Sequence, residues 1–275
     1  MNRRIFFVRL TWLAIVLITT GLLAIAGPQV RTAEQPPDID KVIQKFAAKE
    51  AEFLDARNFY TFRQEVRIQT IGFNNRPTVE FYRVSDILFD DKGKRTERIV
   101  KFPASTLREL TITPNDIRDL ADVQPFALAT KELSKYSISY VGKEKIDEVD
   151  TYVFDVKPKV LPKYKRDGER IFGGRIWVDD RDLQIVKTFG KGLPEGDERF
   201  PRFETYRENI DGKYWFPTYT FADDILEFPG NSIHMRMEVK YSSYKRFSSD
   251  VKIELEGDEE DKTSPQKQSS PPKKN

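Results

Sequence analysis

Ile233-His234-Met235-Arg236-Met237-Glu238-Val239-Lys240-Tyr241 is the stretch that decides the fold. Ile233, Met235, Met237, Val239 and Tyr241 alternate with His234, Arg236, Glu238 and Lys240. Successive side chains of a strand point to opposite faces, so this strand buries one face and wets the other. The alternation recurs upstream, in Arg175 to Val178, Leu183 to Thr188, Phe203 to Ile210 and Tyr214 to Phe221. Asp179-Asp180-Arg181-Asp182 and Asp211-Gly212 supply turns between these runs. Residues Arg175 to Phe247 therefore read as an antiparallel sheet with one apolar face.

Working outward, Ser137 to Val141 is expected to pair with Thr151 to Val156 across a charged connection. A loop rich in lysine, arginine and proline follows, from Lys157 to Arg170. Near the start, Tyr60, Phe62, Val66 and Ile68 share one face, opposite Arg63, Glu65, Arg67 and Gln69. Gly72 to Pro77 makes a turn into a second strand from Thr78 to Leu88. Asp90-Asp91-Lys92-Gly93 reads as a hairpin turn leading to a third strand, Arg98 to Phe102. Two helices interrupt the strands. Asp38 is placed to cap the first, in which Ile39, Val42, Ile43, Phe46, Ala47, Phe53 and Leu54 recur at helical spacing up to Arg57-Asn58. Thr113-Pro114-Asn115-Asp116 starts the second, with Pro125 beyond its end, and a short helix fits Thr130 to Lys135. The fold class is mainly β with a few helices, α+β.

The two ends have different characters. Met1-Asn2-Arg3-Arg4 precedes an apolar run from Leu10 to Ala26 that closes in Ala24-Ile25-Ala26. Basic residues, an apolar stretch and small residues at the expected cut describe an export signal over 1–26. An uncleaved anchor is the alternative, because the run approaches membrane-spanning length. Residues 27–37 read as a flexible leader and 38–253 as the folded domain. The segment 254–275 holds acids, serines, prolines and lysines with too little apolar surface to fold.

Arg3, Arg4 and Arg9 all lie in the first 26 residues, and without them the 44 acidic residues just exceed what remains of the 46 basic ones. A near-neutral mature chain has no strong field for nucleic acid. There is no cysteine and one histidine, His234, on the polar side of its strand. Zinc, copper and iron sites are disfavoured, and Asp90-Asp91, Asp179-Asp180 and Asp223-Asp224 do not have calcium-loop spacing. The sequence offers no catalytic residues, no cofactor and no metal ligands. Twenty phenylalanines, eleven tyrosines and three tryptophans remain. They fill a core, or they line a cleft that the helices leave open; alternation alone fits both.

Tyr140-Val141-Gly142-Lys143-Glu144 with Asp150-Thr151-Tyr152-Val153-Phe154 resembles a strand–turn–strand segment of the lipoprotein carrier and lipoprotein-sorting superfamily, that of LolA, LolB and RseB. Phe172-Gly173-Gly174-Arg175-Ile176-Trp177-Val178-Asp179 through Leu183-Gln184-Ile185-Val186-Lys187 resembles the hairpin that follows in that superfamily, and Trp215-Phe216-Pro217-Thr218 and Tyr241 to Phe247 resemble the end of its bacterial members. The resemblance implies a half-open, curved antiparallel β-barrel with helices plugging the open side. It implies a periplasmic carrier for a lipid or lipoprotein acyl chain, as in sorting to the outer membrane. The alternative is a protein-interaction or envelope-sensor module of the same fold, with an envelope membrane protein as partner. The ligand-binding face is then expected to include Phe62, Val66, Phe81, Phe154, Trp177, Phe216, Met235 and Met237, with the proviso that a one-residue shift inverts a strand's face.

Overall fold

A computed structural model describes residues 38–89, 94–165 and 168–246. Residues 1–37, 90–93 and 247–275, where an export signal, a leader, a hairpin turn and a tail are expected, lie outside the described residues. Helix α1 spans Ile39–Arg57 and is followed by strands β1 (Tyr60–Ile71), β2 (Pro77–Phe89) and β3 (Arg95–Lys101). Helix α2 (Pro114–Asp122) and a 3-10 turn (Thr130–Lys135) come next. Strands β4 (Tyr136–Ile146), β5 (Val149–Pro158), β6 (Ile171–Asp179), β7 (Ile185–Leu193), β8 (Phe203–Asn209), β9 (Trp215–Phe228) and β10 (Asn231–Arg246) complete the domain.

The strands form one antiparallel sheet in the order β3-β2-β1-β10-β9-β8-β7-β6-β5-β4. The sheet is curved and open, since β3 and β4 remain as separate edges. Its last strand, β10, sits in the interior against β1 and β9, with Val66 opposite Val239 and Met237 opposite Ala222. This explains the clean alternation there: a strand with neighbours on both sides, one face under helices and the other in water, must show it. The hairpins are tighter than the sequence suggested. β4 and β5 run on to Ile146 and Val149, with Asp147 at positive φ, so most of the charged connection is strand. β9 and β10 likewise extend to a turn at Gly230.

One face of the sheet carries both helices. Val42, Phe46 and Ala47 of α1 and Leu120 of α2 share a core with inward residues of nine strands, among them Val66, Phe81, Phe154, Ile176, Ile185, Phe203, Ala222 and Met237. Phe46 and Phe154 lie ring to ring at 5.4 Å, and both are fully buried. A paired glycine makes room in this face. Gly174 stands opposite Gly190, and a Cβ on Gly174 would fall 2.2 Å from the Phe189 carbonyl oxygen. The Phe172 ring uses that space and stacks on Phe126, centroids 4.3 Å apart, which fixes the segment after α2.

Candidate functional site

Helix α2 organises the site, and its sequence sets its ends. Thr113 Oγ1 accepts from the Asp116 amide at 3.2 Å, while the Asp116 carboxylate accepts from the Thr113 amide at 2.9 Å. This capping box satisfies amides that the first turn leaves without helical partners. At the other end the sheet binds the Leu120 carbonyl and the segment that follows the helix. Gln64 Nε2 donates to the Leu120 carbonyl at 3.5 Å, Thr205 Oγ1 donates to Gln124 at 3.0 Å, and Arg207 donates to Phe126. On its other flank the guanidinium of Arg170 contacts Asp119, Asp116 at 3.3 Å and Glu198 at 2.8 Å. Burial pushes the Asp119 carboxyl up to about 6, against the lowering effect of Arg170.

The hydrogen bonds beneath α2 form a short polar ladder. Thr205 and Thr220 hydroxyls lie 2.8 Å apart, and Thr220 lies 3.4 Å from the Tyr241 hydroxyl. Burial raises Tyr241 to about 12, with opposing contributions from Thr220 and Gln64. Tyr241 is therefore neutral at any physiological pH and acts as a hydrogen-bonding wall.

Around this ladder the helices do not fill the face. A cavity of 190 Å³ is bounded by Phe62, Phe89, Leu120, Phe216, Tyr241 and Tyr244. Arg57, Asn58, Gln64 and Arg95 supply its polar lining. A second cavity, 80 Å³, lies against Met235, Met237, Ile68, Ile117 and Leu226, and Leu120 belongs to the walls of both. Gln124, only 2% exposed, lines the smaller one. A third hollow of 340 Å³ borders Arg57, Pro125, Phe126 and Phe172. The largest of these spaces, 500 Å³, is a surface trough on the opposite side of the sheet, bounded by Trp177, Phe189 and the charged Asp155, Lys157, Arg175, Lys191 and Arg202. Its volume reflects its width to solvent rather than enclosure, so the smaller, less open cavities under α2 are the stronger site.

Seven of the eight residues expected to face the ligand are on the helix-covered side, but they do not converge. Phe62 and Phe216 line the 190 Å³ cavity, and Met235 and Met237 line the 80 Å³ cavity. Val66, Phe81 and Phe154 are closed core at 2%, 5% and 0% exposure. Trp177 is a correction: it faces the other side, clustered with Val153 and Val186. Its indole Nε1 donates to Glu144 at 2.9 Å, and Lys187 lies 5.2 Å over its ring. Ile176 and Val178 on either side of it point inward and are fully buried. Sequence reasoning missed Leu120, Tyr244, Arg57 and Arg95 as lining residues. The helical spacing of Ile117 and Leu120 and the phase of Tyr241 with Met237 were available signals; nothing marked the arginines.

His234 lies on the polar side as expected, but in contact with the Asp223 carboxylate, which also accepts from Arg236 at 2.7 Å. Among the described residues, no group of three or more histidine, aspartate or glutamate side chains is arranged to hold a metal. Nor is any described helix long and apolar enough to cross a membrane.

These features define an open antiparallel sheet whose helix-covered face keeps apolar hollows. The sequence matches no protein-family model and no curated protein. Among solved structures the chain is similar to a DUF1329 family protein from Desulfovibrio piger, at 14% identity and TM-score 0.38 over 76% of this chain and 95% of that one. It is similar to LolA superfamily protein NE2245 from Nitrosomonas europaea, at 12% identity and TM-score 0.34 over 73% and 94%. It is also similar to the MucA/MucB complex of Pseudomonas aeruginosa, at 8% identity and TM-score 0.21 over 74% and 100%. A LolA superfamily protein is thus among the solved structures to which the chain is similar.

Proposed function

We propose that the protein is a non-catalytic binding protein of the bacterial envelope that holds a lipid or lipoprotein acyl chain on its helix-covered face. It would reach the periplasm by way of residues 1–26. The observation that carries this reading is the 190 Å³ cavity between α2 and the sheet, walled mainly by aromatic and aliphatic side chains. An apolar cavity of about 150 Å³ suffices to take up benzene, so this one accommodates a short run of methylenes. Binding would draw on roughly 25 cal/mol for each Å² of chain removed from water. Pockets for whole ligands usually span about 300–1,000 Å³. A full acyl chain therefore requires α2 to shift, or Leu120 to turn aside and join the two cavities it separates.

The test is native mass spectrometry of protein purified without detergent, followed by organic extraction. The reading expects an adduct of lipid mass that unfolding releases. An apo mass that stays unchanged after incubation with lipid would contradict it.

A second reading, an interaction or envelope-sensor module, has one observation in its favour. The basic loop between β5 and β6 exposes Val160 at 80% and Leu161 at 50% beside Lys159 and Lys163. Replacing residues 159–165 with a Gly/Ser linker should then remove a co-purifying partner while leaving lipid uptake intact. Retention of every partner would sink this second reading.

A further inference from the structure

Gln124 is the only polar side chain in the run Val123-Gln124-Pro125-Phe126-Ala127-Leu128-Ala129 that follows α2. Val123, Phe126 and Leu128 are buried core, where an apolar side chain at 124 would also be expected. The glutamine is 2% exposed and lines the 80 Å³ cavity. Its amide nitrogen donates to the Met237 sulfur at 3.3 Å, and its Oε1 has no hydrogen-bond partner among the described residues. A thioether is a weak acceptor, so a side chain able to make about four hydrogen bonds makes one poor one. Turning the amide end for end exchanges its two ends and leaves the same deficit. The backbone holds the residue in place: its N–H donates to the Asp119 carbonyl at 3.1 Å, and its carbonyl accepts from Thr205 Oγ1 at 3.0 Å. The other cavity walls include Ile68, Leu120, Leu226 and Met235, and the charged groups among the lining residues are engaged elsewhere. Arg199 donates to the Glu227 and Gly196 carbonyls, and Asp116 caps α2. Burying an amide without its hydrogen bonds is costly, and a plain hydrocarbon chain beside it would leave that cost standing. A hydroxyl donates to an oxygen or accepts from an amide nitrogen, so it serves Gln124 whichever way the amide is turned.

We propose that Gln124 selects a hydroxylated acyl chain, whose hydrocarbon occupies the 190 Å³ cavity, passes Leu120 and places its hydroxyl against Gln124 in the 80 Å³ cavity. This rests on the acyl-chain reading above and narrows it from any acyl chain to one that carries a hydroxyl group.

The experiment compares three probes on the full chain, by displacement of Nile red and by calorimetry: dodecanoate, 3-hydroxydodecanoate and 12-hydroxydodecanoate. At least one hydroxylated probe should bind roughly three- to tenfold more tightly than dodecanoate, as expected for one buried hydrogen bond gained. Which of the two is preferred shows whether the head end or the tail end of the chain lies at Gln124. Gln124→Met and Gln124→Leu keep the side chain's bulk and remove its amide. Both should abolish the preference while binding dodecanoate at least as well as the unsubstituted chain, and thermal midpoints at or above its own show that they are folded. If neither variant folds, the probe comparison on the unsubstituted chain decides alone. Equal or weaker binding of both hydroxylated probes would overturn the proposal while leaving the acyl-chain reading standing. That is also the result expected if an ordered water already serves Gln124, since a hydroxyl replacing it gains little. A preference that persists in folded variants would overturn it too, by placing the hydroxyl elsewhere. Failure of all three probes to bind would remove the acyl-chain reading itself, and this proposal with it.

Discussion

The same face of one sheet is closed under the middle of α1 and open between the C-terminal end of α1 and α2. Beneath α1, Phe46 and Phe53 are fully buried, and Glu50 and Arg207 form an ion pair with side chains at 0% and 1% exposure. That pair is also hydrogen-bonded, with the Ile185 amide donating to Glu50 at 2.9 Å and Arg207 stacked 4.8 Å from the Phe53 ring. Beneath α2, contact with the sheet runs through a polar ladder and leaves cavities of 190 and 80 Å³ on either side of Leu120. Both halves come from strands with the same apolar alternation. A long helix with apolar residues along most of its length fills its half; a nine-residue helix tied to the sheet at Leu120 and by the segment after it does not. Vacancy is set by the cover, not by the strand.

The largest effect should come from breaking the closed half. Glu50→Ala leaves Arg207 buried without its counter-charge, and should cost about 3–5 kcal/mol in denaturant unfolding. Replacing both residues by methionine should recover most of that loss, because two apolar side chains need no partner. Phe46→Ala should cost about 3–5 kcal/mol, while Phe62→Ala, at the edge of an existing cavity, should cost about 1 kcal/mol. Equal costs for the two phenylalanines would erase the distinction between the halves.

A smaller effect is expected from pH. Asp119 has a folded-state pKa raised to about 6 by burial, above the ordinary 3.8. For a carboxyl raised in this way the folded state binds the proton more tightly, so its contribution to stability falls as pH rises from about 4 to 6. Asp86, Asp155, Asp211 and Asp223 are lowered instead, so their losses fall below that window. Asp119→Asn should therefore gain stability relative to wild type on going from pH 4 to pH 7. An unchanged difference between the two proteins across that range would show that Arg170 dominates burial.

How much of this was legible in the sequence follows from what each signal encodes. Caps are local, so Asp38 and Thr113 were readable and their hydrogen bonds to Lys41 and Asp116 are present. Alternation gives faces, so Met235, Met237 and Val239 were placed correctly. Trp177 was not, because Ile176, Trp177 and Val178 are all buried; a strand covered on both faces has no period to read. The cavity was illegible for a different reason. Its wall joins Arg57, Phe62, Arg95, Leu120 and Tyr244 from five separate elements, and no pattern within one element reports how two of them meet.

The most direct test is a nuclear magnetic resonance titration with a fatty acid carrying a nitroxide near the end of its chain. The account predicts selective broadening of the amides of Phe62, Leu120, Phe216 and Tyr241, with Trp177 and Phe189 on the opposite face unaffected. Broadening centred on Trp177 and Phe189, or no broadening at all, would contradict it.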